Sequence, residues 1–209
     1  MALTADVLSD EELLARYQSG DRQAFGALVR RHERGVFNYV LRSVRSPSTA
    51  EDLCQEVFLR VVQGAGDFRH SSKVSTWVYA IARNLCVDQA RRARHRSHDS
   101  LDQPRQGDNG SPRGELEPDR GHRSSVERSY VGTDIARRVE AIVELLPDEQ
   151  REVFLLRELA DLPFQAISDM LGIPENTAKS RMRYALERLR RGLAEYEEHA
   201  RTLESGTEV

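Results

Sequence analysis

Cysteine is nearly absent: Cys54 and Cys86 stand far apart in a 209-residue chain, each inside an apolar helical pattern. Neither has a Cys or His at metal-ligand spacing, which argues against a disulfide framework or a zinc site and predicts two buried reduced thiols. No apolar run approaches the ~20 residues that a transmembrane helix needs. The segment from Met1 to Glu12 is acidic and lacks a basic stretch followed by an apolar one. No secretory signal is therefore expected, and a cytoplasmic location is. There is no phosphate-binding glycine loop, and the alternating pattern of strands has almost no support. Lysine is scarce too, at 2 residues against 29 arginines, and the net charge is -3. A bare count of that kind gives no hint of a nucleic-acid partner. The length suits one large or two small domains.

What is present is helical periodicity. Ser9-Asp10-Glu11-Glu12 reads as a capping box that starts a helix pointing Leu13, Leu14 and Tyr17 inward. After Gly20, apolar residues from Phe25 to Leu41 recur at three- and four-residue steps. Ser46-Pro47 stops and restarts the chain, and Ala50, Leu53, Cys54, Val57, Phe58 and Val61 predict a third helix whose other face carries Glu51, Asp52, Gln55 and Glu56. A polar loop from Gln63 to Ser75 leads to a fourth helix from about Thr76, with Trp77, Ile81, Leu85 and Cys86 on its stripe and arginines at its end. From Ser97 to Thr133 the pattern collapses: five of the 13 glycines and three of the 7 prolines fall there, the composition of a flexible linker. Periodicity resumes at Ile135, breaks at Pro147 and at Asp161-Leu162-Pro163, and ends with helices predicted over about Phe164 to Leu171 and Pro174 to Tyr196. The expected fold is all-α: two small helical domains, 1–96 and 134–196, joined by a linker over 97–133 and followed by a tail, 197–209.

The segment Phe164 to Arg181 carries the most information. A short helix, a turn at Gly172 and a second helix opened by Pro174 suit a helix-turn-helix, with Ile167, Leu171 and Ile173 in its small core and the second helix free to enter a major groove. From Pro174 to Arg191 there are six basic residues and two acidic ones. An ordinary helical hairpin with a solvated basic face is the competing reading of this motif alone.

Leu146-Pro-Asp-Glu-Gln-Arg-Glu-Val-Phe154, the helix-turn-helix and Leu186-Glu-Arg-Leu-Arg190 closely resemble region 4 of the sigma-70 family of bacterial transcription initiation factors. Independently, Asp21-Arg-Gln-Ala-Phe25, Ala50-Glu-Asp-Leu-Cys-Gln-Glu-Val-Phe58 and Thr76-Trp-Val-Tyr-Ala-Ile-Ala-Arg-Asn84 resemble region 2. With only a tether between the two, the chain is most similar to the extracytoplasmic-function group. The resemblance implies a factor that binds core RNA polymerase and directs it to promoter DNA, under restraint by an anti-sigma protein. It implies neither catalysis nor a cofactor.

Residue by residue, the resemblance implies that Asp52, Leu53, Gln55, Glu56 and Phe58 of the third helix meet core polymerase. Phe68, Arg69, His70, Ser71, Ser72 and Lys73 would shape a pocket for a base extruded from the minus-ten element, with Trp77 and Asn84 beside it and Arg83, Arg91 and Arg92 on phosphates. Trp77 reads equally well as a core residue, and a half-buried ring can serve both ends. In the second domain, Asn176, Thr177, Lys179, Ser180, Arg181 and Arg183 would meet the minus-thirty-five element. Ser168 and Ala178 replace the Ala and Val usual in the turn, and Tyr184 stands where the family commonly has Arg.

As a coil, the 37 residues from Ser97 to Thr133 span roughly 35 Å, whereas elements about 25 base pairs apart lie roughly 85 Å apart. Such a tether can reach both but cannot set the spacing, which leaves core polymerase as the ruler. Two rival readings compete with this one. A helix-turn-helix regulator acting without polymerase leaves the patterns at Asp52 to Phe58 and Thr76 to Asn84 unexplained. An enzyme built on Cys54, Cys86, His95 and His98 has no supporting spacing.

Overall fold

The structure, a computed structural model, describes residues 8–69, 72–99 and 126–205. All regular structure among these residues is helical. The first domain comprises α1 (Asp10–Gln18), α2 (Arg22–Val44), α3 (Pro47–Gly64), a 3-10 turn (Ala65–Asp67) and α4 (Val74–Asp99). The second comprises α5 (Val126–Glu144), α6 (Asp148–Glu158), α7 (Phe164–Leu171) and α8 (Glu175–Ser205). Two helices exceed the range that periodicity predicts. α5 begins inside the segment read as linker, and α8 runs on into the predicted tail. The α5 extension carries only Val126, Tyr130 and Val131 as apolar residues and the α8 extension only Ala200 and Leu203, too few to register as a sustained apolar period. Most of the expected linker lies outside the described residues.

The starts of the first helices follow from local chemistry. Ser9 Oγ accepts from the Glu12 amide while Glu12 accepts from the Ser9 amide at 2.7 Å, the reciprocal capping box. Asp21 Oδ1 caps α2 by accepting from the amides of Gln23 and Ala24. Ser46 caps α3, with Pro47 at the first helical position, where a missing N–H costs nothing. Each helix then buries one stripe. Leu13, Leu14, Val36, Val40, Ala50, Val57 and Ala82 have no exposed surface. A buried side chain of the Val or Leu class contributes about 1.5–3 kcal/mol, so these contacts outweigh the intrinsic helix preferences of their sequences.

In the second domain Val153, Leu156, Leu162, Ile167, Ala178 and Ala185 are fully buried. Arg151, which a charge count treats as a surface residue, is buried at 9% exposure. Its guanidinium donates to the carbonyls of Glu144 and Leu146 at the end of α5 and to Asp148 Oδ1 at 2.5 Å. It thereby ties the carbonyls at the end of one helix to the first turn of the next.

Cys54 and Cys86 are free and buried, as expected. Burial, helped by the charge of Glu33, raises the Cys54 thiol above its ordinary value, and burial pushes Cys86 up to about 12. Since the thiolate is the reactive form, both should resist alkylation near neutral pH in the native protein and react together in denaturant. Rapid native labelling of Cys86, followed by mass spectrometry, would contradict this packing.

The two domains touch rather than stand apart. Arg42 Nη2 meets Glu140 Oε1 at 2.6 Å, Arg45 Nη2 donates to the Glu144 carbonyl at 2.8 Å, and Arg83 Nε donates to Glu152 Oε1 at 2.8 Å. The Tyr79 hydroxyl adds a bond to the Leu159 carbonyl at 3.2 Å. In these four bonds the donor lies on the first domain. Their acceptors lie between Glu140 and Asp161, a stretch with seven acidic residues and only Arg151 and Arg157 to balance them. Part-exposed ion pairs of this kind contribute about 0–1 kcal/mol each.

Candidate polymerase and promoter surfaces

On α3, Asp52 and Gln55 are exposed, and Glu56 is half-exposed with an ion pair to Arg60 at 2.8 Å. Leu53 and Phe58 are half-buried and pack against the core on either side of this face. They support the surface rather than project from it. Leu59, at 51% exposure, and Val62 share the face with Asp52 and Gln55, because steps of three and four residues return to one side of a helix. The surface is thus an acidic strip with an apolar centre. Leu59 escapes a sequence reading because it falls inside an otherwise buried-looking run, Val57 to Val62.

The loop between α3 and α4 forms a cleft of about 440 Å³ lined by Gly64, Asp67, Phe68, Arg69, Ser72 and Trp77. Phe68 and Trp77 are both half-buried, with ring centroids 4.9 Å apart and planes tilted by 38°. Gly64 permits this wall: a Cβ there would stand 3.0 Å from Trp77 Cζ2. Arg69, Ser72 and Lys73 are exposed at the rim, while His70 and Ser71 lie outside the described residues. Aromatic faces beside polar groups are what an unstacked base requires.

Further along α4, Asn84, Arg91 and Arg92 are exposed. Among the described residues Arg91 meets Asp88, at 3.7 Å. Arg83 differs, because its guanidinium is engaged by Glu152 of the second domain. As a phosphate contact it becomes available only when that pair opens.

The helix-turn-helix forms as expected. Gly172 takes φ 65° and ψ 36°, the left-handed conformation that lets α7 end and the chain turn, and both its amide and that of Ile173 donate to the Ser168 carbonyl. Ser168 and Ala178 are buried, and the small serine satisfies its hydroxyl on the Gln165 carbonyl at 3.0 Å. On α8, Asn176 and Lys179 are exposed and Thr177 is half-exposed, and Lys179 meets Glu175 at 2.7 Å. The Ser180 hydroxyl folds back onto the carbonyls of Asn176 and Thr177. Arg181 pairs with Glu149 of α6 at 2.6 Å. Arg183 is exposed, its guanidinium 5.0 Å above the ring of Tyr184, which is itself 47% exposed.

This order of parts matches two family descriptions: sigma-70 region 2 over residues 28–96 and sigma-70 region 4 over residues 136–189. The ECF RNA polymerase sigma factor SigM of Mycobacterium tuberculosis is 34% identical over 183 residues, covering 88% of this chain and 84% of that protein. The chain belongs to the extracytoplasmic-function group of the sigma-70 family. The ECF RNA polymerase sigma-E factor of Escherichia coli K12 is 30% identical, over 88% of this chain and 93% of the relative. Two solved structures share the fold at 19% identity. CnrH in complex with the cytosolic domain of CnrY has a TM-score of 0.59, covering 88% of this chain and 97% of that one. The sigma factor RpoE of Bartonella quintana in complex with the anti-sigma factor NepR has a TM-score of 0.61, covering 81% and 96%.

As a sigma factor the protein is a transcription initiation factor. The geometry sorts its basic side chains into two sets that composition cannot separate. Arg83 and Arg181 are held by carboxylates far away in sequence. Arg92, Arg94 and Arg183 are exposed on the two basic helices. Among the described residues no helix is long and apolar enough to cross a membrane.

Proposed function

We propose that this sigma factor docks core RNA polymerase on the α3 face, admits an extruded minus-ten base to the cleft between Phe68 and Trp77, and reads the minus-thirty-five element with α8. The observation that carries this reading is the cleft. An aromatic-walled, polar-rimmed opening stands at the start of the arginine-rich α4, in a chain whose other domain is a helix-turn-helix. Asp52 and Glu56 provide charge complementary to a basic partner, Gln55 adds a polar contact, and Leu59 adds exposed apolar surface that docking would bury. The protein would act where polymerase and chromosomal DNA are, in the cytoplasm. Control by an anti-sigma protein is supported by the related folds, which were solved with such partners bound.

The test is run-off transcription with purified core polymerase on a promoter library. Initiation from a subset of templates is expected, and no initiation on any template would end the proposal. The closed contact between the domains, with Arg83 on Glu152, further implies weak promoter binding by the free protein and tight, selective binding by the holoenzyme. Equal affinity in titrations with and without core enzyme would remove polymerase from its role as ruler.

A further inference from the structure

The cleft is framed by loop backbone, and a loop holds a shape only if its polar groups find partners. Two of those partners come from α1, which precedes the matched region 2 segment and to which the functional reading assigns no role. Gln18 Nε2 donates to the Ala65 carbonyl at 2.7 Å and to the Phe68 carbonyl at 3.3 Å. These carbonyls flank the 3-10 turn from which the Phe68 side chain departs toward Trp77. A side-chain amide has two N–H groups, so one residue can hold both. On the opposite rim Glu11 Oε1 accepts from the Val74 amide at 3.1 Å. That amide is one of the unpaired donors at the start of α4, and Lys73 before it has no side-chain oxygen to offer. A carboxylate at this point also meets the positive end of the helix dipole.

Glu11 and Gln18 lie seven residues apart, two turns along one face of α1, so a single rigid helix grips both rims. α1 is firmly seated. Leu13 and Leu14 are fully buried, and Asp10 holds Arg31 at 2.7 Å and His32 at 2.6 Å on α2. We propose that Gln18 and Glu11 are positioning residues that set the width of the cleft and the stance of Phe68 against Trp77, and so determine how well an extruded base is held. This rests on the reading of the cleft as a base pocket.

The experiment uses holoenzyme assembled from the full chain and core polymerase. Its DNA is a fork-junction probe, single-stranded through the non-template minus-ten element, taken from a promoter active in the run-off assay. Abasic sites are scanned through that element, and the readout is the ratio of affinities for base-bearing and abasic probes. The wild-type holoenzyme is expected to prefer the base at one position. Gln18→Ala and Gln18→Glu should lower that preference about five- to tenfold, the scale of one or two hydrogen bonds, with core binding unchanged. Glu11→Ala should act in the same direction. Glu11→Gln, which keeps an acceptor for the Val74 amide, should recover most of the preference.

Full base preference in both Gln18 variants would overturn the positioning role. So would a parallel loss of core binding, which would mark Gln18 as a general support of the fold. No preference in the wild type would overturn the base-pocket reading itself, and the positioning role with it.

Discussion

Replacing Trp77 with alanine is expected to slow open-complex formation by about 10- to 100-fold while leaving core-polymerase affinity within about twofold. The magnitude follows from stacking, which contributes about 1–3 kcal/mol per base on an aromatic platform. It also follows from the local structure, because Trp77 forms the cleft wall jointly with Phe68 at 4.9 Å, and its removal takes away that half of the wall. The ring is half-buried and the proposed polymerase face lies on α3, so the defect should appear in DNA opening rather than in docking. Trp77→Phe should retain much of the activity. Gly64→Ala offers a subtler version, since a Cβ 3.0 Å from the ring forces it to shift by a few tenths of an ångström. Permanganate reactivity of the minus-ten thymines reads the result. Unchanged reactivity in Trp77→Ala would show that the ring is only a core residue.

Truncating Ile167 to alanine should destabilise the second domain by about 2–5 kcal/mol, the range for large-to-small changes in a well-packed core. Ile167 has no exposed surface and lies on α7 beside the Gly172 turn, where α6 and α8 also contribute their buried residues. A loss of that size is a large part of the stability of a small domain. Recognition of the upstream element should therefore fail, while core-polymerase binding, proposed for α3, should survive. Ile167→Val should cost about 1 kcal/mol and preserve recognition. Urea titration followed by circular dichroism gives the stability change. A cost below about 1 kcal/mol for Ile167→Ala would mean that the turn is not packed as described.

Much of this arrangement is legible in sequence because it is local. The capping box at Ser9, the restart at Ser46-Pro47 and the left-handed Gly172 depend on neighbours within a few residues, and all three form as their chemistry predicts. The apolar stripes are legible for the same reason, since helical periodicity reports which face is buried. It does not report what covers that face, nor what meets the other one. Periodicity therefore does not show that Leu59 projects to solvent from an apolar run, and a charge count does not show that Arg151 is buried over helix-end carbonyls.

The same division accounts for the net charge of -3. The sequence alone places the positive charge on α4 and α8 and the negative charge between Glu140 and Asp161. It does so almost wholly with arginine, whose planar guanidinium can meet phosphates, bases and carboxylates alike. Only the tertiary structure decides which of these partners each arginine has. Arg83 meets Glu152 and Arg181 meets Glu149, across 69 and 32 residues of chain, while Arg183 lies over Tyr184. It likewise decides that α1, which a sequence reading leaves as a plain amphipathic helix, reaches the loop before α4 through Gln18 and Glu11. The physical reason is one of range. Helix formation and charge content are properties of neighbouring residues, whereas the partner of a side chain is set by the packing of elements far apart in the chain.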